Sequence, residues 1–123
     1  CYLPLLDALH RLEAEGIKPR WTINVTPILA EQLSDPSFCD EFEQYCKDKI
    51  EAAKFDMQGF RAKNEMWMEG LAIFWIKRFE KALEDFRDKW DRNIVQGFRH
   101  FQDTGAIEII TCGATHGYQP LLG

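Results

Sequence analysis

The segment Ala106–Cys112 constrains the fold more than any other part of the chain. Its residues read Ala-Ile-Glu-Ile-Ile-Thr-Cys, so the segment is short, β-branched and nearly all apolar. Such a segment is typical of a strand that is covered on both faces, as strands are in parallel sheets. The following Gly113–Gly117 turns away from the strand. The pattern therefore predicts an α/β fold class.

A second strand is predicted earlier in the chain. Apolar and polar residues alternate along Arg20–Thr26, and Pro27 ends the alternation. A helix with leucines at every third position precedes this strand, and Gly16 suits its C-terminal cap. A short helix over 28–33 follows it.

A long helical excursion, about residues 35–104, separates the two strands. Asp35-Pro36 is a typical start for its first helix, which is predicted to break near Gly59. A second helix carries an apolar face from Met68 to Phe86, and a third is predicted from Asp91 to Gly105. The expected order is helix, strand, helices and strand.

Two further expectations concern side chains of this excursion. Glu43 and Lys47 are spaced to form an i,i+4 pair on the charged face of the first helix. Trp67, Trp75 and Trp90 suggest a platform for stacking sugars, but they lie at or near helical spacing with other apolar residues. We therefore expect these three tryptophans to pack in the core.

The two strands are too few to form a stable sheet by themselves, because a sheet of that size is marginal in water. The first residue is Cys1, in what already reads as a helix. We expect residues 1–123 to be part of one α/β-barrel or doubly wound domain that is incomplete at both ends.

The charge pattern excludes several classes of partner. The net charge is −5, from 20 acidic and 15 basic side chains that are interspersed along the chain. Nucleic acids and anionic membranes need a concentrated basic surface, so neither is expected as a partner. No apolar stretch approaches the roughly 20 residues that cross a bilayer, and we see no secretory signal.

The cysteines do not form a disulfide pattern. Cys39 and Cys46 are seven residues apart on a predicted helix, which separates them by about 10 Å along its axis. Disulfides need Cα atoms within about 7 Å, so these side chains are predicted to be thiols. Thiols persist in a reducing compartment, and we expect a cytoplasmic protein.

The best site candidate follows the second strand. In α/β proteins ligands bind at the carboxyl ends of the strands, where Thr115 and His116 stand between two glycines. We predict that His116, with Thr115, faces a ligand; the alternative is a histidine that bonds only its local backbone. Thr26, at the end of the first strand, is a weaker candidate, because its hydroxyl can equally cap the next helix. His10 and His100 lie on helices and are not expected to act.

Motifs for other chemistries are missing. The sequence has no His-x-His, HExxH, phosphate-binding glycine loop or G-x-S-x-G, so we predict no metal and no cofactor.

The segment Ile109–Leu122 closely resembles a motif of glycoside hydrolase family 57, nearest to its 1,4-α-glucan branching enzymes. The resemblance extends through shorter matches along nearly the whole chain, in the right order. These matches are Tyr2–Leu6, Val25–Pro27, Asp35-Pro36 and Phe101–Gly105. It implies a fragment of an incomplete (β/α)7 barrel and an enzyme that acts on α-glucans with retention of configuration.

The resemblance also implies where the catalytic groups stand. The glutamate nucleophile and the aspartate acid/base are expected beyond Gly123, so this chain holds no catalytic carboxylate and the fragment alone is expected to be inactive. Glu108 is the only acid on the second strand, and its position in mid-strand does not suit either role. His116 and Thr115 are expected to contact the α-glucan substrate; the oligomeric state stays open.

Several alternatives remain. Another member of the same family, an amylase or a 4-α-glucanotransferase, is the nearest. A metal-dependent carbohydrate deacetylase uses a similar barrel but needs Asp and His ligands. A helical interaction module without catalysis is the last.

Overall fold

A computed structural model describes residues 2–114 and has the predicted alternation of helices and strands. A π-helical segment, Asp85–Lys89, continues the fourth helix. The elements are α1 (Tyr2–Ala14), β1 (Trp21–Asn24), α2 (Pro27–Ser34), α3 (Pro36–Ala62), α4 (Met66–Glu84), α5 (Ile94–Asp103) and β2 (Ile107–Ile110).

The two strands pair in parallel, which confirms the α/β class and the long helical excursion between the strands. Trp21 lies opposite Ile107, and Asn24 lies opposite Ile110. Each strand has four residues, fewer than the seven of each predicted segment. In the described structure each strand has a partner on one side only, and the ladder ends where the chain turns into α2 and out of α5.

The core lies between the helices and one face of this sheet. Leu6, Leu9, Phe86 and Phe101 are completely buried there. The other buried residues of this cluster come from α1, α2, α3, α5 and the start of β2, and α4 contributes the partly buried Ala82. Burial of these apolar side chains is the main force that holds α1, α2 and α5 against the strands.

Several predicted helix ends are confirmed. The Asp35 carboxylate accepts a hydrogen bond from the Phe38 amide at 3.0 Å, as an N-cap does. Gly16 and Gly105 both follow helices with φ of +73°, the left-handed conformation that glycine adopts most readily. Cys39 and Cys46 are buried thiols, as predicted, and burial raises the pKa of each.

Two predicted helix limits are wrong. Gly59 lies inside α3, which continues to Ala62, because one glycine costs a long helix only about 1 kcal/mol. The reversal comes instead at Asn64, whose φ is +57°. Helix α5 begins after Asn93 and not at Asp91, because the Asn93 side chain accepts the amide hydrogen of Gln96 at 3.0 Å.

The structure replaces the expected Glu43–Lys47 pair with a longer-range contact. The Glu43 carboxylate accepts hydrogen bonds from Arg87, with Nε to Oε2 at 2.8 Å, and lies 3.0 Å from Nε of Arg92. Its side chain is only 14% exposed, so Glu43 lies beneath the neighbouring segment and not on the solvated face. The arginine guanidinium groups reach the Glu43 carboxylate at this position. A guanidinium can donate two parallel hydrogen bonds to a carboxylate, which a lysine ammonium cannot do.

The expectation that the tryptophans pack in the core is correct for Trp90 and wrong for Trp67 and Trp75. Trp90 is half-buried against the core, with its ring 5.8 Å from that of Phe101. Trp67 is 84% exposed and Trp75 is 42% exposed. Helix α4 packs on α3 through another stripe that includes Ala72 and Ile76, so its remaining apolar side chains stay uncovered.

Candidate functional site

The carboxyl ends of β1 and β2 meet at one edge of the sheet because the strands are parallel. Beyond the ladder the Val25 amide donates to the Ile110 carbonyl at 3.0 Å. The Ile28 amide, in the first turn of α2, donates to the Ala114 carbonyl at 3.4 Å. The segment that leaves β2 is therefore tied to the start of α2, on the side of the sheet where α/β proteins bind ligands.

Thr115 and His116, the two principal site predictions, lie outside the described residues. The described chain reaches Ala114, the residue immediately before them, at this carboxyl edge. Their predicted contact with a ligand stays a prediction.

Thr26 stands at the same edge and acts as the N-cap of α2. Its side-chain oxygen accepts the amide hydrogen of Leu29 at 3.2 Å, and its backbone is extended, as N-cap geometry requires. A cap of this kind contributes about 1 kcal/mol to stability. Whether Thr26 also contacts substrate stays a prediction.

The two faces of the sheet differ in what covers them. Ile23 and Ile109 are partners in the ladder, and both pack against the helical core. Successive side chains of a strand point to opposite faces, so Thr22, Asn24, Glu108 and Ile110 share the other face. That face, which we call the open face, is exposed in the described structure: Thr22, Asn24 and Ile110 are exposed, and so is Glu108.

A polar pair lies on the open face. Thr22 and Glu108 are opposite each other in the ladder, and the Thr22 hydroxyl donates to Oε2 of Glu108 at 3.0 Å. Within residues 2–114 no cationic side chain pairs with Glu108, so the carboxylate has a hydroxyl donor and no counter-charge. Such a carboxylate can accept further hydrogen bonds from a basic residue or a bound hydroxyl group.

Asn24 is the open-face side chain nearest to the carboxyl end of β1. It is exposed, and within the described part of the chain its amide makes no hydrogen bond. An amide offers both a donor and an acceptor, which is the combination that sugar hydroxyls require.

Sequence reasoning dismissed Glu108 and did not single out Asn24 as a site residue. It treated β2 as covered on both faces, whereas the structure covers only the face with Ile107 and Ile109. The available signal was the alternation within β2, where one acid interrupts a run of isoleucines. The position of Glu108 in mid-strand is as predicted, and no catalytic role is assigned to it.

The two helical histidines stand apart from this edge. His100 lies 3.0 Å from Oε2 of Glu13, so α5 is tied to α1 at the surface. His10 is exposed on α1.

Two open clefts of the described structure are lined by residues other than those of the open face. One cleft of about 470 Å³ lies between Tyr2, α2 and the start of α3, and another of the same volume lies between α2 and α5. Residues 2–114 contain no group of three His, Cys, Asp or Glu side chains placed to hold a metal ion. Within the same range no helix is long and apolar enough to cross a membrane.

Comparison with known proteins gives a family match over almost the whole chain. The model of glycosyl hydrolase family 57 matches residues 2–123. A 1,4-α-glucan branching enzyme from Thermococcus kodakarensis is 36% identical over 122 residues. A probable 1,4-α-glucan branching enzyme from Mycobacterium tuberculosis is 27% identical over 131 residues.

Solved structures agree with this match. The branching enzyme of Pyrococcus horikoshii superimposes with a TM-score of 0.87 at 37% identity and covers 99% of this chain. The α-amylase AmyC from Thermotoga maritima superimposes with a TM-score of 0.86 at 35% identity and covers 97%. This part of the fold is thus common to branching enzymes and an amylase.

The chain spans only a small part of these relatives. It corresponds to 17% of the Thermococcus kodakarensis enzyme, 25% of the Mycobacterium tuberculosis protein and 22% of each of the two solved chains.

Proposed function

The chain belongs to glycosyl hydrolase family 57, and from this membership we propose that it is part of the catalytic domain of a 1,4-α-glucan branching enzyme. The supporting observation is the identity of 36–37% with two branching enzymes over 99% of the chain. The substrate is then an α-glucan such as amylose or glycogen, and the product carries new α-1,6 branches.

The parallel pair β1–β2 is proposed to be part of an incomplete barrel of seven strands. Helices cover one face of the pair, as they cover the outside of a barrel. The open face then becomes the barrel interior, and the edge with Val25 and Ala114 becomes the mouth where barrels bind substrates.

The reaction proposed for the complete enzyme needs two carboxyl groups that this chain does not supply. Retaining glycosidases place a nucleophile and an acid/base about 5–5.5 Å apart. The nucleophile attacks the anomeric carbon while the other carboxyl protonates the leaving oxygen, and a glucan hydroxyl then resolves the glycosyl-enzyme. If water resolves it instead, the result is hydrolysis.

The residues of this chain would bind and orient the donor glucan. His116 and Thr115 follow the described edge directly and are proposed to hydrogen-bond sugar hydroxyls there. Asn24, at the carboxyl end of β1 on the open face, is proposed to hydrogen-bond a sugar hydroxyl as well. Glu108, one layer deeper with Thr22, is proposed to bind a basic side chain from a neighbouring strand, because a carboxylate buried in a barrel requires a partner.

An α-amylase is the second candidate function, and the TM-score of 0.86 with AmyC supports it. Analysis of the products that the full-length protein forms from amylose separates the two. We expect new α-1,6 linkages by proton NMR and by release of linear chains with a debranching enzyme. Shorter or redistributed α-1,4 chains without branches would instead indicate an amylase or a 4-α-glucanotransferase.

The remaining alternatives receive no support from the family match, which is to a glycosidase family and neither to a deacetylase nor to a non-catalytic module. We also propose a cytoplasmic location, where Cys39 and Cys46 would remain thiols.

A further inference from the structure

Helix α4 has an apolar face that the rest of the described structure leaves uncovered. At 100° per residue, five large apolar side chains of its first turns fall within an arc of about 120°. We call this arc the free face of α4. Its members are Trp67, Met68, Leu71, Phe74 and Trp75, and all five are exposed.

The free face is distinct from the face that packs on α3. Ala72 and Ile76 are buried, and the Phe79 ring lies 6.0 Å from that of Tyr45 on α3. The free face is also pre-ordered at one end, because the Trp75 ring contacts those of Phe74 at 5.5 Å and Phe79 at 5.8 Å. Nothing else among residues 2–114 covers it.

Its composition is that of an interface core. Monomeric soluble proteins rarely expose large contiguous apolar patches, and large patches often mark interaction sites. Aromatic residues and methionine are enriched at the centre of protein–protein contacts, where charged residues are depleted. The free face contains no charged residue, amide or hydroxyl, and its two indole N–H groups are its only polar atoms.

The relatives are much longer than the region that this chain matches, and this extra length indicates what covers the free face. The matched region is 17% of one branching enzyme and 22% of another, so most of each polypeptide lies outside it. We propose that the free face of α4 binds an apolar surface of the same polypeptide outside residues 1–123, which packs the α3–α4 hairpin into the enzyme. This proposal uses the length of the relatives and does not depend on glucan activity.

A sugar-binding platform is the less favoured occupant. Sugars stack on aromatic rings but also require hydrogen bonds to their hydroxyls. Met68 and Leu71 cannot provide these bonds. Arg78, about one helical turn beyond Trp75, is the charged side chain that follows the free face along α4. No observation in the described structure favours a second copy of the chain as the occupant.

Hydroxyl-radical footprinting of the full-length protein without glucan tests the proposal without any substitution. Trp67 and Phe74 should react several-fold more slowly in the native protein than in the same protein unfolded in urea. Trp67 is 84% exposed in the described structure, so protection must come from residues outside it. Native and unfolded rates that are equal would overturn the proposal.

A pair of substitutions identifies the occupant. Leu71→Asp places a charge in the free face, and Lys77→Asp places one on another exposed side of α4 as the matched control. We expect Leu71→Asp to lower Tm and to expose the hairpin turn at Lys63 to trypsin, whereas Lys77→Asp does neither. Leu71→Ala replaces it if the aspartate variant does not fold.

Two other results would contradict the proposal. A Leu71 variant that changes from dimer to monomer by analytical ultracentrifugation would show that the occupant is a second copy. A variant with unchanged Tm but weaker retention in amylose-containing native gels would show a sugar platform.

Discussion

Gly97 of α5 packs against Leu6 of α1. A Cβ atom at this position would stand 2.8 Å from Cδ1 of Leu6 and 3.0 Å from the Trp90 ring. Leu6 is completely buried and therefore has little room to move. The absence of a side chain at residue 97 allows the two helices to pack at this distance.

We predict opposite effects of alanine at two helical glycines. Gly97→Ala should lower the free energy of unfolding, because overpacking of about 1–3 kcal/mol exceeds the helix-propensity gain of about 1 kcal/mol. Gly59→Ala should raise it, because a Cβ at residue 59 meets no atom within 4 Å. Thermal unfolding of the full-length protein measures both, and a Gly97→Ala variant as stable as the wild type would contradict the packing described here.

His116 is the residue on which the proposed glucan site depends most. We predict that His116→Ala in the full-length enzyme lowers kcat/KM on amylose about 10- to 100-fold, the cost of one to two hydrogen bonds to substrate. Tm should change little, because the residue is proposed to face the site. His10→Ala, at an exposed position of α1, is the matched control and should be fully active. Unchanged activity of the His116 variant would mean that this histidine bonds only its local backbone.

At the scale of elements, an ion-pair cluster joins the α3–α4 hairpin to the turn before α5. Glu43 of α3 binds Arg87 and Arg92, and Asp40 binds Arg92. Asp91 and Arg92 have φ of +46° and +58°, a conformation that side chains disfavour. The Cys39 thiol also donates to the Arg92 carbonyl at 3.4 Å. These contacts hold the turn in its unusual conformation.

The cluster predicts a stability difference that depends on pH. The hydrogen bonds from Arg87 lower the pKa of Glu43 in the folded protein, so the folded state binds its proton less readily than the unfolded chain. The stabilisation is complete above the unfolded pKa of about 4.3 and is lost as pH falls through the lower folded value. Glu43→Gln should therefore reduce Tm at pH 7, with a smaller reduction below about pH 4.

Glu51→Gln is the control for this prediction, because Glu51 is exposed on the same helix. It should leave Tm unchanged at both pH values. A Tm difference between the Glu43 variant and the wild type that is constant with pH would exclude the charge of Glu43 as the source of the stabilisation.

At the scale of the whole molecule, the described structure leaves two apolar surfaces uncovered. Both outer edges of the two-stranded sheet are unpaired, and Trp21 and Ile110 are exposed on it. The free face of α4 adds a second uncovered surface. A sheet of two strands needs neighbours to be stable, and unpaired edges promote association.

We predict that the 123 residues expressed alone do not form a stable monomer. The expected outcome is a broad, non-cooperative thermal transition by circular dichroism and concentration-dependent association in the ultracentrifuge. The full-length protein, as the control, should unfold cooperatively. A soluble monomer of the isolated chain with a sharp transition would argue that the open surfaces need no further polypeptide.

Much of the local structure was predictable from the sequence. Leucine periodicity predicted α1, the Asp35-Pro36 pair predicted the start of α3, and β-branched composition predicted β2 and its parallel pairing. These features depend on residues within a few positions of each other. The prediction that a site lies at the carboxyl edge of the sheet also came from the sequence, because it needs only the order of the strands.

Only the tertiary structure decided which partners the side chains find. Glu43 bonds to a residue 44 positions away, and Thr22 bonds to Glu108 at a separation of 86 positions. The periodicity of α4 contains two apolar stripes, and the packing on α3 covers just one of them. Short-range patterns determine the elements because backbone hydrogen bonds and caps are local. Burial and charge pairing are set by chain segments that meet only after folding, so residues near in sequence do not specify them.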